Sequence, residues 1–217
     1  MSTTLNARNL TLADVHRLLN FQMQTDGKLT SELSLEPLTE AEQQELICIR
    51  DDFQPYIAAG KMSEGIVKAL TVFPLLRLAG FYRSPIQLSI EEGIDAICID
   101  TEDTKVTGRM DILAINHVER TSPLFWILVI EAKEGLSNVW AGLPQLLTYT
   151  YKSLDHQSSV WGLATNGLNY QFVQVQAGNP AIYRLMPLLN LIESDHLLQL
   201  LQVLKAIHNL NFSTGDS

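Results

Sequence analysis

Little in this chain invites a special explanation. Of its 217 residues only two are cysteines, Cys48 and Cys98. Two cysteines so placed give neither a disulfide framework nor a zinc-binding spacing, and both read as small buried residues of a reducing compartment. No uninterrupted apolar run approaches the ~18 residues that a membrane-spanning helix needs. The N-terminus shows no basic segment followed by an apolar one, the pattern of a secretory leader. The expectation is a cytoplasmic protein with no membrane partner. Basic residues are also scarce: 15 Lys and Arg stand against 24 Asp and Glu, for a net charge of −9. That is a poor electrostatic match to a polyanion, because nucleic-acid affinity rests largely on Lys and Arg. Internal repeats and low-complexity linkers are missing as well. What remains is a globular chain, 46% hydrophobic and long enough for one domain with a sizeable core.

Charge inside apolar sequence is the informative feature. Ile112–Ile115 and Phe125–Ile130 are short apolar runs of the kind that form strands covered on both faces. The polar stretch from Asn116 to Pro123 reads as the loop between them. Folding the two runs into an antiparallel hairpin brings Asp111 close to Glu131. Side chains alternate along a strand, so Glu131 and Lys133 share a face. Two carboxylates and an ammonium can thus meet at one end of the hairpin. A bare ionised group is costly to bury, and two carboxylates with waters and phosphate oxygens form an environment that suits Mg²⁺.

Around this hairpin the pattern predicts the following elements. Thr11 caps a helix running through Met23, with Asp14 completing a capping box, and Gly27 ends it. Residues 27–38 form a loop. Thr39 caps a second helix with Glu42, and Pro55 ends or breaks it. Ser63 caps a third helix that Pro74 kinks and Gly80 closes. Glu64 lies in its first turn, where the helix dipole favours an acid; Lys61, Lys68, Arg77 and Arg83 read as its solvated face. Ile86–Ile90 and Ile94–Ile99 are predicted as two strands with a turn at Glu91-Glu92. From Asn138 the spacing turns helical, and its apolar stripe leaves Gln145, Tyr149 and Lys152 one turn apart on the adjoining face. Val160–Thr165 and Tyr170–Val175 form a hairpin about Asn166-Gly167, a short strand follows at Ile182–Leu185, and Ser194 or Asp195 caps a last helix that is apolar on most sides. Residues 1–10 and 211–217 are expected to be loose.

The ordered set Glu64, Asp111, Glu131-Ala132-Lys133 and Gln145-Leu-Leu-Thr-Tyr149 resembles the PD-(D/E)XK nuclease superfamily over about residues 60 to 190. Met110 stands where that family's proline would be. Gly108-Arg109-Met110-Asp111 is similar to the version in type I restriction enzyme nuclease domains, and the Gln-x-x-x-Tyr pair to the helicase–nuclease branch. The resemblance implies an α/β fold of restriction endonuclease type, a mixed central sheet flanked by helices over residues 61–217, with residues 1–60 as a helical N-terminal extension. It implies Mg²⁺ (or Mn²⁺) held by Asp111, Glu131 and the Ala132 carbonyl. Lys133, Gln145, Tyr149 and Glu64 would complete the catalytic set, while Arg109 and Lys152 would contact DNA. The implied activity is endonucleolytic hydrolysis of DNA. The net charge of −9 predicts that DNA is bound weakly without metal. The apolar last helix is core or seals a dimer, and with the need to cut two strands it predicts a homodimer. The competing expectation is a catalytically silent nuclease fold serving as a scaffold, or as a partner subunit of a restriction system.

Overall fold

The computed structural model describes residues 3–25, 28–29, 33–99, 103–116, 125–134 and 138–210. Among the described residues nine strands form one mixed sheet. They are β1 (Thr3–Asn6), β2 (Phe21–Gln24), β3 (Ile86–Ile99), β4 (Thr104–Asn116), β5 (Phe125–Ala132), β6 (Ser159–Thr165), β7 (Asn169–Gln176), β8 (Ala181–Leu185) and β9 (Leu189–Asn190). The helices are α1 (Leu12–Leu18), α2 (Glu40–Ala58), α3 (Glu64–Val67), α4 (Phe73–Leu78), α5 (Leu143–Ser153) and α6 (Ser194–Leu210). The path across the sheet is β1-β4-β5-β6-β7-β8-β2, with β3 paired to β4 and β9 to β7. Apolar residues on the two faces build two buried layers. One joins α2, α4 and α6 to Ile112, Ala114, Leu128 and Ile130. The other joins α1 and α5 to Leu113, Ile115, Val129 and Val173. The chain is therefore α/β, with helices on both sides of a mixed sheet.

The central hairpin has the expected register: Ile112 pairs with Ile130, Leu113 with Val129 and Ala114 with Leu128. Continuing that register by one residue sets Asp111 opposite Glu131. Most of the loop read at 116–123 lies outside the described residues, as do Gly27 and residues 211–217. β5 then crosses over through α5 to the parallel neighbour β6, and β6 turns into β7 at Gly167, whose φ of +85° suits glycine.

Several expectations are corrected. Residues 3–6 are a strand, paired in parallel with the start of β4. The first helix keeps its capping box but stops at Leu18; Asn20, at φ +51°, turns the chain into β2, which pairs with β8. The segment 1–60 is thus not purely helical, and both its strands join the common sheet. The stretch 86–99 is one strand with a positive φ at Glu91 and a register shift between Ile94 and Ile97, where a turn was expected at Glu91-Glu92. Pro55 stays inside α2, which runs on to Ala58, because an exposed proline late in a helix disturbs only its last turn. Between α3 and α4 the helix loosens into a π segment, Lys68–Val72. Pro74 stands two residues beyond its end, and the wider turn relieves the clash that a proline ring makes with the carbonyl four residues back.

The last helix also changes one argument. Leu197, Leu200, Leu201, Val203, Leu204 and Ile207 are all buried in the chain's own core. Its apolar face is already covered, so it gives no ground for a dimer. Among the described residues no helix is long and apolar enough to cross a membrane.

Candidate active site

β4 takes β3 along one edge. Its other edge is shared: β1 pairs with Thr104–Thr107, and β5 with Ile112–Asn116. Between them, Gly108 to Asp111 make no ladder pairing on that edge, although Asp111 stands beside the end of β5. The strand's regularity also slips here. Ile112 and Ala114 belong to one core layer, whereas Met110, two residues before Ile112, belongs to the other. The gap opens as a cleft of about 360 Å³ lined by Arg8, Glu64, Glu91, Gly108, Arg109 and Asp111, among others. A groove of similar size lies away from it, lined by residues of α2 and α4.

A backbone N–H without a strand partner must find another acceptor. The Arg109 N–H donates to Tyr149 Oη at 3.1 Å. Tyr149 is fully buried and reaches this point because Gly108 has no side chain. A Cβ there would stand 2.7 Å from the tyrosine ring and 2.9 Å from its hydroxyl. Tyr149 Oη also accepts from Gln145 Nε2 at 2.7 Å. Gln145 Oε1 accepts from Lys133 Nζ at 3.0 Å, and Nζ donates to Glu131 Oε1 at 2.7 Å. One hydrogen-bonded chain therefore runs from the β4 backbone through α5 to the end of β5. The short 3-10 turn Val139–Gly142 packs over it, with Gly142 placed so that a Cβ would lie 3.3 Å from Glu131 Cγ.

Asp111 sits on the other side of the pair and is 4% exposed. Its Oδ2 accepts the Ala132 N–H at 2.8 Å and its Oδ1 accepts from Lys68 Nζ at 3.0 Å. Lys68 Nζ also lies 2.6 Å from Glu64 Oε1. Burial pushes the Asp111 carboxyl above its ordinary value, against the Ala132 N–H and Lys68. Burial acts the same way on Glu64, but there the hydrogen bond and charge of Lys68 prevail and hold it below. The Lys68 ammonium is itself held above its ordinary value, because its two carboxylates outweigh its desolvation.

Glu131 is fully buried, and its Oε2 has no hydrogen-bond partner. Burial, then the nearby Asp111 charge, push its carboxyl up to about 8 in spite of Lys133. Tyr149 is raised to about 12 by burial and the charge of Glu131. Two neighbouring carboxylates that raise one another's proton affinity, one with an orphaned buried oxygen, suit a divalent cation better than they suit each other. The Ala132 carbonyl is the further protein oxygen that a cation here would draw on, with solvent water for the remaining positions. Among the described residues no three His, Cys, Asp or Glu side chains group closely enough to hold a metal by themselves.

Asp111, Glu131, Ala132, Lys133, Gln145, Tyr149 and Glu64 thus come together. Arg109 lies at the cleft mouth with its guanidinium on Glu91, donating to the main-chain oxygen at 3.0 Å and to Oε2 at 3.1 Å. Lys152 does not join them. It pairs with Asp155 at 3.1 Å and lines a separate groove with Trp126 and His156. Helical spacing put Lys152 one turn beyond Tyr149, but α5 rotates that turn away from the cleft. Sequence reasoning missed two residues. Lys68 is buried, not solvated; the signal available was Glu64 four residues before it within an apolar helix. Arg8 enters the cleft because β1 pairs with β4, which nothing in residues 1–10 announces.

A scan against models of known protein families matches none of them, and a search of curated proteins finds no similar sequence.

Proposed function

We propose that this protein is a divalent-metal-dependent nuclease of restriction endonuclease type, hydrolysing phosphodiester bonds of DNA. The observation that carries the reading is the pairing of Asp111 and Glu131 across adjacent strand ends, with Glu131 Oε2 unpartnered and Lys133 fixed beside it. The order helix, three antiparallel strands, crossover helix, parallel strand (α3–α4, β3, β4, β5, α5, β6) supports it as well.

Asp111, Glu131 and the Ala132 carbonyl would hold Mg²⁺ or Mn²⁺. The bound ion would polarise the scissile phosphate and lower the pKa of a coordinated water. Lys133 keeps its ammonium at the rim of the carboxylate pair, where it can offset charge that develops on the phosphate. Gln145 and Tyr149 hold Lys133 in that place without flexible solvent contacts, since both are buried. Arg8 and Arg109 at the mouth supply the cationic contacts that an acidic chain otherwise lacks. With so few, DNA binding is weak and shallow in salt, roughly −0.9 in logarithmic slope per phosphate neutralised. A second copy of the chain, cutting the opposite strand, belongs to the same proposal on grounds of symmetry.

A scaffold or partner-subunit role is the second reading. The net charge of −9 favours it, and so does the engagement of both cleft lysines by carboxylates. Calorimetric titration with Mn²⁺ separates the two. The nuclease reading expects saturable binding that Asp111→Asn removes, whereas a silent scaffold shows no binding that depends on this carboxylate.

A further inference from the structure

Lys68, buried behind the cleft between Glu64 and Asp111, has no part in the reaction as proposed. It is 8% exposed. It begins the π segment, and a widened turn of that kind redirects the side chains it carries. Its ammonium lies 3.0 Å from Asp111 and 2.6 Å from Glu64. A buried salt bridge such as Lys68–Asp111 brings little net stability, so the pairing calls for another reason.

The oxygens around it are unevenly used. Asp111 spends Oδ1 on Lys68 and Oδ2 on the Ala132 N–H, and Glu64 spends Oε1 on Lys68. Among the described residues, Glu131 Oε2 is the buried carboxylate oxygen left open. Three carboxylates, Glu64, Asp111 and Glu131, face two ammonium groups, Lys68 and Lys133. One divalent ion more than cancels the remaining charge, and a second between Glu64 and Asp111 would have to occupy the position of Lys68 itself.

Building on the metal reading of this cleft, we infer that Lys68 is a built-in cation standing where a second divalent ion would bind, so that the site takes a single ion on its Asp111–Glu131 side. Glu64 then serves Lys68 and not the metal: it is a positioning residue.

The test counts metal ions on the folded chain, with no nucleic acid present. Calorimetry with Mn²⁺, supported by electron paramagnetic resonance of the bound ion, should give one ion on the wild-type chain and two on Lys68→Met. Glu64→Gln should keep the single ion with affinity changed by less than about tenfold, and this milder variant decides the matter if Lys68→Met does not fold. Two ions on the wild-type cleft, one ion on a folded Lys68→Met, or loss of Mn²⁺ binding in Glu64→Gln would each overturn the inference. If Mn²⁺ binds neither the wild type nor Lys68→Met, the metal reading fails and this inference with it. A wild-type chain that binds one ion, with Lys68→Met unchanged, removes the inference alone.

Discussion

The main chain at Gly108 lies against Tyr149, so close that a Cβ would come within 2.7 Å of the ring. The contact ties β4 to α5 and lets the Tyr149 hydroxyl accept the Arg109 N–H. Gly108→Ala must displace either the strand or the ring, and overpacking of this kind costs about 1–3 kcal/mol. The account expects a loss of that size in urea unfolding. It also expects the loss to shrink in the Tyr149→Leu background, where the ring is gone, which a double-mutant cycle measures.

Tyr149→Phe keeps the ring and removes the acceptor shared by Arg109 N–H and Gln145 Nε2. Leaving buried donors unsatisfied costs about 1–3 kcal/mol. The expected outcome is a folded, less stable protein in which Gln145 no longer holds Lys133. The rate of DNA cleavage falls without loss of Mn²⁺ affinity, because neither Tyr149 nor Gln145 is a ligand.

How much of this was legible in the sequence depended on whether burial or pairing decided it. Asp111, Glu131 and Lys133 stood out because charges interrupt runs that are otherwise core, and the hairpin register followed from those runs alone. The strands at Thr3–Asn6 and Phe21–Gln24 did not stand out. They are short and mostly polar, and exist because β4 and β8 offer them an edge. Lys68 was misread for a related reason: helical spacing gives a face, but not which face the π segment turns inward. Lys152 failed in the opposite sense, since correct spacing carried it past the cleft.

Glu131 makes the metal-free protein sensitive to pH. Its carboxyl is raised to about 8 in the folded chain, against an ordinary value near 4.3 when unfolded. Between these values the folded state binds more protons than the unfolded one, so stability falls as pH rises through the interval and levels off above it. Thermal melts in a chelator should therefore show Tm decreasing from about pH 5 to about pH 8 by more in the wild type than in Glu131→Gln. Equal slopes for the two proteins would count against a buried, raised Glu131.

Asp111→Asn separates folding from metal binding. The amide retains an acceptor for the Ala132 N–H but loses the charge that faces Lys68. Removing one partner of a buried pair costs up to about 3–5 kcal/mol, and Glu64 remains to hold the ammonium, so the expected loss lies below that range. Circular dichroism should show the fold intact, with Mn²⁺ no longer bound.

The most direct measurement is cleavage itself. Supercoiled and linear duplex DNA, single-stranded DNA and RNA are incubated with the wild-type chain, Asp111→Asn and Lys133→Met, in Mg²⁺, Mn²⁺ or a chelator. Metal-dependent cutting of DNA by the wild type, absent in the chelator and lost in both folded variants, is the result predicted. Cutting that persists in Asp111→Asn and Lys133→Met, or no cutting by a wild-type chain that binds Mn²⁺, would contradict the account.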